Sequence, residues 1–384
     1  MTFKLSPEIG KNFCYAPWTN IHIDTRGNYK TCCAGTESLG NLQDNSFNTT
    51  LLTDIKSKLV GNEYHANCRL CENNLVAERN WYTDIAENKI ITITDITNDC
   101  LQNLDIRWSN TCNLSCVYCD SMFSSQWAHL RNEPAQRTDF GSNLANIIQH
   151  ITDNQDTIKN LALLGGEPLL QKENLQLLDI VRNDVHINII TNLSVPLANN
   201  KIFQRLLEMK NVMWDISFET LDQRFEYVRR GAKWSTMILN LRMLQDAIQD
   251  KPGHRVGITG QYSVYNCLDL VGLYKQFELY DLPTLRLNEL QYPHELSVFS
   301  LPTMLMQQAA EQAVLATEYT KRTHQLDQTE LLLDLANRLN TTSNTDANIE
   351  KLYEWHAYQE QKYWPDSELR FEGLWPEFRQ NTLP

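Results

Sequence analysis

The sequence predicts an α/β chain: a partial (β/α)6, TIM-like barrel, with a small cysteine-rich module before it and a helical extension after it. Three observations carry this. Between about residues 101 and 299, short β-branched apolar runs alternate with stretches of helical period. The first 71 residues hold five of the ten cysteines among short, polar, loop-like segments. Beyond residue 300, apolar residues recur at a spacing near 3.6.

In the cysteine-rich module (1–100), residues 21–24 read as a short strand ending at the turn Arg26-Gly27-Asn28. A helix is expected over 51–59, and a short β-rich run over 90–96 inside the connection to the barrel. The barrel (101–299) is expected to have strands at 104–108, 161–164, 185–191, 212–218, 255–264 and 284–290. Helices are expected at 121–131, 143–151, 171–182, 201–209, 234–248 and 268–279. Parallel neighbours need such crossovers, and those crossovers are right-handed. Six units fall short of the eight that close a full barrel, so the barrel stays open, with its site where the strands end and the βα loops gather. In the extension (300–384), helices are expected at 301–321 and 327–339. A polar break at 341–346 then leads to a segment rich in aromatics, from Tyr353 to Phe378, read as a tail packed back onto the body.

Charge and hydropathy exclude several classes. With 34 basic and 47 acidic residues the formal charge is −13, a field that repels phosphate, so nucleic acid is not expected as a partner. No apolar run approaches the ~18 residues of a membrane helix. The N-terminal MTFKLSPEIGK lacks the apolar core of a signal peptide. A cytoplasmic, reducing location is therefore expected, where clustered cysteines serve metals more often than disulfides.

The first cysteine cluster is Cys112-Asn-Leu-Ser-Cys116-Val-Tyr-Cys119, directly after the first barrel strand. Three thiolates in a short loop bind three irons of a [4Fe–4S] cluster and leave the fourth open to a small molecule. Half of a zinc site is the ordinary alternative. This Cys-x3-Cys-x2-Cys loop, with the aromatic Tyr118 before its last cysteine, resembles the signature of the radical S-adenosylmethionine (radical SAM) superfamily. The resemblance implies a [4Fe–4S] cluster with an open iron that chelates S-adenosyl-L-methionine. Reductive cleavage of the sulfonium would give a 5'-deoxyadenosyl radical that abstracts hydrogen from a substrate.

Further residues fit the same resemblance. Gly165-Gly166-Glu167 ends the second barrel strand and is similar to the family motif that holds the amino group of S-adenosylmethionine: glycines allow close approach and Glu167 accepts from an ammonium. Thr191-Asn192 ends the third strand. Ser217-Phe-Glu219 ends the fourth, where Ser217 resembles a ribose contact and Glu219 departs from the usual Asp. Arg230 resembles the residue that pairs with the cofactor carboxylate, with Arg229 as the adjacent alternative. Asn266 is expected near the adenine. A loop cap is the competing reading for each of these last residues.

The second cluster comprises Cys14, then Gly27 and Cys32, then Cys68-Arg-Leu-Cys71. Four thiolates are enough for a closed metal site. The pattern Cys-x12-Gly-x4-Cys followed by Cys-x2-Cys resembles the twitch module, a shortened SPASM domain that binds an auxiliary [4Fe–4S] cluster, here placed before the barrel rather than after it. A zinc ribbon is the alternative. Cys33 could replace Cys32, but neighbours on a strand face opposite ways, so only one should face the site. Cys33, Cys100 and Cys267 are then spare.

The resemblance implies an enzyme acting on a small polar (carbohydrate-like) or peptidyl substrate, with the auxiliary cluster assisting electron transfer and an external donor such as flavodoxin or ferredoxin. The chain reaches Cys14 almost at once, so a fused peptide-leader domain is not expected. The competing class is a non-catalytic iron–sulfur or zinc electron carrier or scaffold. An RNA-modifying radical enzyme is disfavoured by the charge of −13. No general base can be named from the sequence.

Overall fold

Nine strands join into one sheet in the computed structural model, which describes residues 13–42, 47–72, 101–134, 141–344 and 349–380. They are β1 (Asn20–Ile23), β2 (Asn28–Lys30), β3 (Gly40–Asn41), β4 (Asn103–Ile106), β5 (Asn160–Leu163), β6 (His186–Thr191), β7 (Asn211–Ser217), β8 (His254–Tyr262) and β9 (Leu285–Glu289). The spatial order is β3-β2-β1-β4-β5-β6-β7-β8-β9. From β4 to β9 each strand pairs in parallel with the next in the chain, as the six predicted units require. The β-rich run at 90–96 and Cys100 lie outside the described residues.

One pairing goes beyond the six-unit expectation. β1 of the cysteine-rich segment lies parallel to β4, from Asn20↔Asn103 to Ile23↔Ile106. β2 and β3 then fold back antiparallel at the edge. The wall therefore has seven parallel strands, one of them from the N-terminal segment. A strand's partner is a long-range choice, and no local pattern announces it.

Strand alternation divides the barrel residues between two faces. Leu104, Ile106, Leu161, Leu163, Ile187, Ile189, Trp214, Ile216 and Leu287 are buried. The intervening Asn103, Asp105, Asn160, Asn188 and Asp215, with parts of Leu104, Leu161 and Ile187, line a cavity of about 830 Å³. That volume is in the range of small-ligand sites.

Two helices are shorter than their patterns suggest, for local reasons. Residues 121–124 stay in turns because Asn110 Nδ2 donates to the Ser121 carbonyl at 2.7 Å and Asp120 Oδ1 accepts from Met122 N at 2.8 Å. The helix then starts as Ser125–Leu130, with Ser124 Oγ capping Trp127 N. After β5, Pro168 opens a short 3-10 turn, so the following helix is Glu173–Ile180.

Thr303–Arg322 and Leu326–Thr341 form the expected helical pair, and Ala309, Ala310, Ala313 and Ala316 of the first helix are buried. The aromatic tail does pack back onto the barrel. Trp375 Nε1 donates to the Tyr265 carbonyl at 2.9 Å, and Phe371 stacks on His356 with ring centres 3.8 Å apart. Phe13, Tyr15, Trp18, Leu39, Ile55 and Leu59 form a separate small core in the N-terminal segment. Among the described residues no helix is long and apolar enough to cross a membrane.

Candidate active site

The cysteine loop leaves β4 and is tied down on both sides. Ser115 N donates to the Arg230 carbonyl and Val117 N to the Val228 carbonyl, both at 2.9 Å. Ser125 Oγ bonds the backbone of Cys112, and Trp127 Nε1 donates to the Cys116 carbonyl at 2.8 Å. Leu114 N approaches Cys112 Sγ at 3.5 Å, while Asn192 Nδ2 lies 3.9 Å from it and Arg229 Nη1 lies 3.9 Å from Cys116 Sγ. Burial, reinforced by the neighbouring thiol of Cys116, pushes Cys112 up to about 12; burial also raises Cys116 and Cys119. Three cysteine thiols on one loop are the donor chemistry that an iron–sulfur cluster takes.

Gly165 and Gly166 press the end of β5 against this loop. Gly165 has φ +126°, and a Cβ on Gly166 would stand 2.2 Å from the Thr111 carbonyl oxygen. Glu167 N donates to that carbonyl at 2.7 Å. The Glu167 carboxylate is enclosed: Oε1 accepts from Thr191 Oγ1 at 2.7 Å and Leu169 N at 3.1 Å, and Oε2 accepts from Asn192 N at 2.9 Å. Burial outweighs these bonds and raises its pKa to about 7. Glu167 thus fixes Thr191 and Asn192 beside Cys112. The sequence reading offered the two glycines to a ligand; here Gly166 is needed for backbone against backbone.

Glu219 and Arg229 form a buried pair on the other side of the loop. Arg229 Nε donates to Oε1 at 3.2 Å and Nη2 to Oε2 at 2.6 Å, with Tyr118 OH donating to Oε2 at 3.1 Å. The Arg229 guanidinium also covers the Tyr118 ring at 5.3 Å. Arg230 turns elsewhere. Its Nη1 donates to Ser367 Oγ at 2.7 Å, and its guanidinium lies 4.2 Å from the Tyr227 ring and 4.8 Å from the Trp364 ring. The chain leaves the helix Asp222–Val228 at Arg229 (φ −98°, ψ 58°), and the two adjacent arginines take different partners. Arg229, the adjacent alternative, is the arginine beside the cysteine loop.

Ser217 ends β7, opposite Thr259 and two residues beyond the cavity-lining Asp215, hence on the same face. Asn266 lines a second pocket with Glu219, and its amide is held by the protein: Nδ2 donates to the Gln261 and Glu219 carbonyls at 2.8 and 3.3 Å, and Oδ1 accepts from Ser263 N at 3.1 Å. It caps the loop after β8. Cys267 is a fully buried thiol.

Cys14, Cys32, Cys68 and Cys71 line one small cavity in the N-terminal segment, while Cys33 lines the barrel cavity instead. The adjacent cysteines face opposite ways, and Cys32 is the one beside the other three. Burial raises the Cys14 and Cys32 thiols, and neighbouring thiols raise them further. Among the described residues no three Cys, His, Asp or Glu side chains are gathered closely enough to hold a single ion. Sequence reasoning missed His22, Asp105 and Arg107, which also line the barrel cavity. The polar Asp105 and Arg107 inside an apolar strand pattern were the available signal.

Comparison with known proteins bears on this geometry. Residues 106–262, from the end of β4 to the end of β8, match the family model of the Radical SAM superfamily. The matched segment contains the cysteine loop and Gly165-Gly166-Glu167. Among solved structures, the chain is similar to native anSMEcpe with bound AdoMet, at 16% identity and a TM-score of 0.42, over 54% of this chain and 58% of that one. It is also similar to SuiB of Streptococcus suis bound to S-adenosylmethionine, at 14% identity and a TM-score of 0.36, over 66% of this chain and 51% of that one. The chain thus spans between half and three fifths of each of these two. No curated protein matches it.

Proposed function

We propose that this chain is a radical SAM enzyme whose open-iron [4Fe–4S] cluster is held by Cys112, Cys116 and Cys119. The carrying observation is that this three-thiol loop, within the segment matched by the family, is packed against Gly165-Gly166-Glu167 at the strand ends. Bound S-adenosylmethionine and the cluster would together supply a 5'-deoxyadenosyl radical for hydrogen abstraction. The chain's own residues do the rest. Asn192 and Arg229 stand against the sulfurs of Cys112 and Cys116. Tyr118, Glu219 and Arg229 keep the far side of the loop rigid. The concave cavity, lined by asparagines and by charged side chains of both signs, suits a small polar or peptidyl substrate.

Cys14, Cys32, Cys68 and Cys71 would hold an auxiliary [4Fe–4S] cluster that assists electron transfer, and the electron donor would be a separate protein such as flavodoxin or ferredoxin. Four thiols on one cavity support this reading. The test is anaerobic iron and sulfide quantification, with electron paramagnetic resonance of the reduced protein and assay of 5'-deoxyadenosine. About eight irons per chain, with one signal altered by S-adenosylmethionine, are expected. About four irons with stoichiometric zinc would make the N-terminal site structural. Absence of 5'-deoxyadenosine from reconstituted, reduced protein would leave the scaffold reading in its place.

A further inference from the structure

The barrel cavity contains a polar group that the cysteine loop does not use. His22 of β1 and Asp105 of β4 are register partners, so their side chains share the concave face, and both line the cavity. His22 Nδ1 lies 2.8 Å from Asp105 Oδ2. Arg107 bonds the same carboxylate, Nε to Oδ1 at 3.3 Å and Nη2 to Oδ2 at 3.2 Å. Burial pushes the Asp105 carboxyl up, but Arg107 and His22 outweigh it and hold it at about 2. An ionised carboxylate only accepts hydrogen bonds, so Nδ1 is the nitrogen that donates to Asp105. Among the described residues Nε2 has no hydrogen-bond partner.

The ordinary alternative is a core histidine with both nitrogens satisfied, and the barrel provides one for comparison. His254 accepts from Trp214 Nε1 at Nδ1 (3.3 Å) and donates from Nε2 to the Met209 carbonyl (2.8 Å). His22 is as deeply buried, at 3% exposure, yet only one of its nitrogens is engaged. A buried imidazole with one nitrogen fixed by a carboxylate and the other bare beside a cavity is the arrangement of a base.

We infer that His22 is the proton acceptor of the barrel cavity and that Asp105 is its positioning residue. The inference rests on the radical SAM reading. Once a hydrogen atom leaves a substrate carbon bearing an O–H or N–H, the carbon radical becomes a carbonyl or imine by losing that proton and one electron. The O–H or N–H bond breaks, a bond from Nε2 to hydrogen forms, and the bond to carbon becomes double. The electron goes to a one-electron acceptor of the iron–sulfur class. The base lies between Cys14 and Cys32 in the chain, so one segment carries it and two of the auxiliary thiols. The substrate class follows: a polar molecule oxidised at a carbon that bears a hydroxyl or an amine. The charged and titratable groups near His22 are Asp105 of β4, Arg107 just after it, and Lys30 of β2, the other register partner of His22, which stands 3.9 Å from Asp24; Cys33 lines the same cavity.

The test uses the full chain and needs no substrate. Nitrogen NMR of protein labelled with 15N-histidine, with the His22 signals assigned by loss in His22→Gln, should show Nδ1 protonated and Nε2 bare at neutral pH. Asp105→Asn should mix or invert the tautomers, and Asp105→Glu should restore them. Diethyl pyrocarbonate, mapped by mass spectrometry on the wild-type protein, should modify His22 and spare His254. A protonated Nε2 in the wild type, a tautomer indifferent to Asp105→Asn, or His22 left unmodified would each overturn the inference. If Asp105→Asn does not fold, the wild-type tautomer and the labelling still decide it. Failure of the same wild-type preparation to cleave S-adenosylmethionine would strike the radical SAM reading alone, because neither measurement on His22 depends on it.

Discussion

At Gly166 one methyl group separates close packing from collision. A Cβ there would meet the Thr111 carbonyl oxygen at 2.2 Å, and both partners are backbone. Gly166→Ala should cost about 1–3 kcal/mol by overpacking. It should also lower the iron retained by the reconstituted protein, since Thr111 leads directly into Cys112; denaturant melts and iron assays check both. Glu219 and Arg229 are the opposite case, where removal is the harm. Glu219 is fully buried and Arg229 is its cationic partner. Arg229→Met leaves that charge unpaired and should destabilise the fold by about 3–5 kcal/mol, read from urea midpoints at constant slope. The cysteines, both glycines and Glu167 were legible in the sequence because their spacing is local. The choice between Arg229 and Arg230 was not, because it depends on how the backbone leaves the helix at Arg229 and on the distant partners Glu219 and Ser367.

At the scale of elements, strands were easier to read than helix ends. The six barrel strands fell on short apolar runs, but the helix expected at 121–131 was cut back to Ser125–Leu130 by hydrogen bonds to the side chains of Asn110 and Asp120. Those side chains act on backbone that periodicity treats as helical. The aromatic tail is an element whose role was visible in composition alone. Its anchor is Trp375, which is 1% exposed, packs on Tyr227 and Tyr265, and donates to the Tyr265 carbonyl. Trp375→Ala should cost about 3–5 kcal/mol. Because Arg230 is held by Ser367 and Trp364 of the same tail, proteolysis of residues 364–380 should become faster in this variant.

At the scale of the whole molecule, the pairing of β1 with β4 makes the N-terminal segment part of the barrel wall. His22 and Asp105 bridge that pairing, with Arg107 on the same carboxylate. The Asp105 carboxyl moves from an ordinary 3.8 to about 2 in the folded chain. A lowered acid pKa gives stability that is fully present above the unfolded value and lost as pH falls through the folded one. The shift corresponds to about 2 kcal/mol. Wild-type stability should therefore fall between about pH 4 and pH 2 more steeply than that of Asp105→Asn, as followed by acid titration of tryptophan fluorescence.

By itself, the sequence determined the β/α alternation, the Cys112–Cys119 loop and the Gly-Gly-Glu turn, because each depends on residues close together in the chain. The tertiary structure alone decided that β1 joins the wall as a seventh parallel strand, that Cys32 and Cys33 face different cavities, and that His22 meets Asp105. His22 and Asp105 lie 83 residues apart, and only strand register brings such residues to one face.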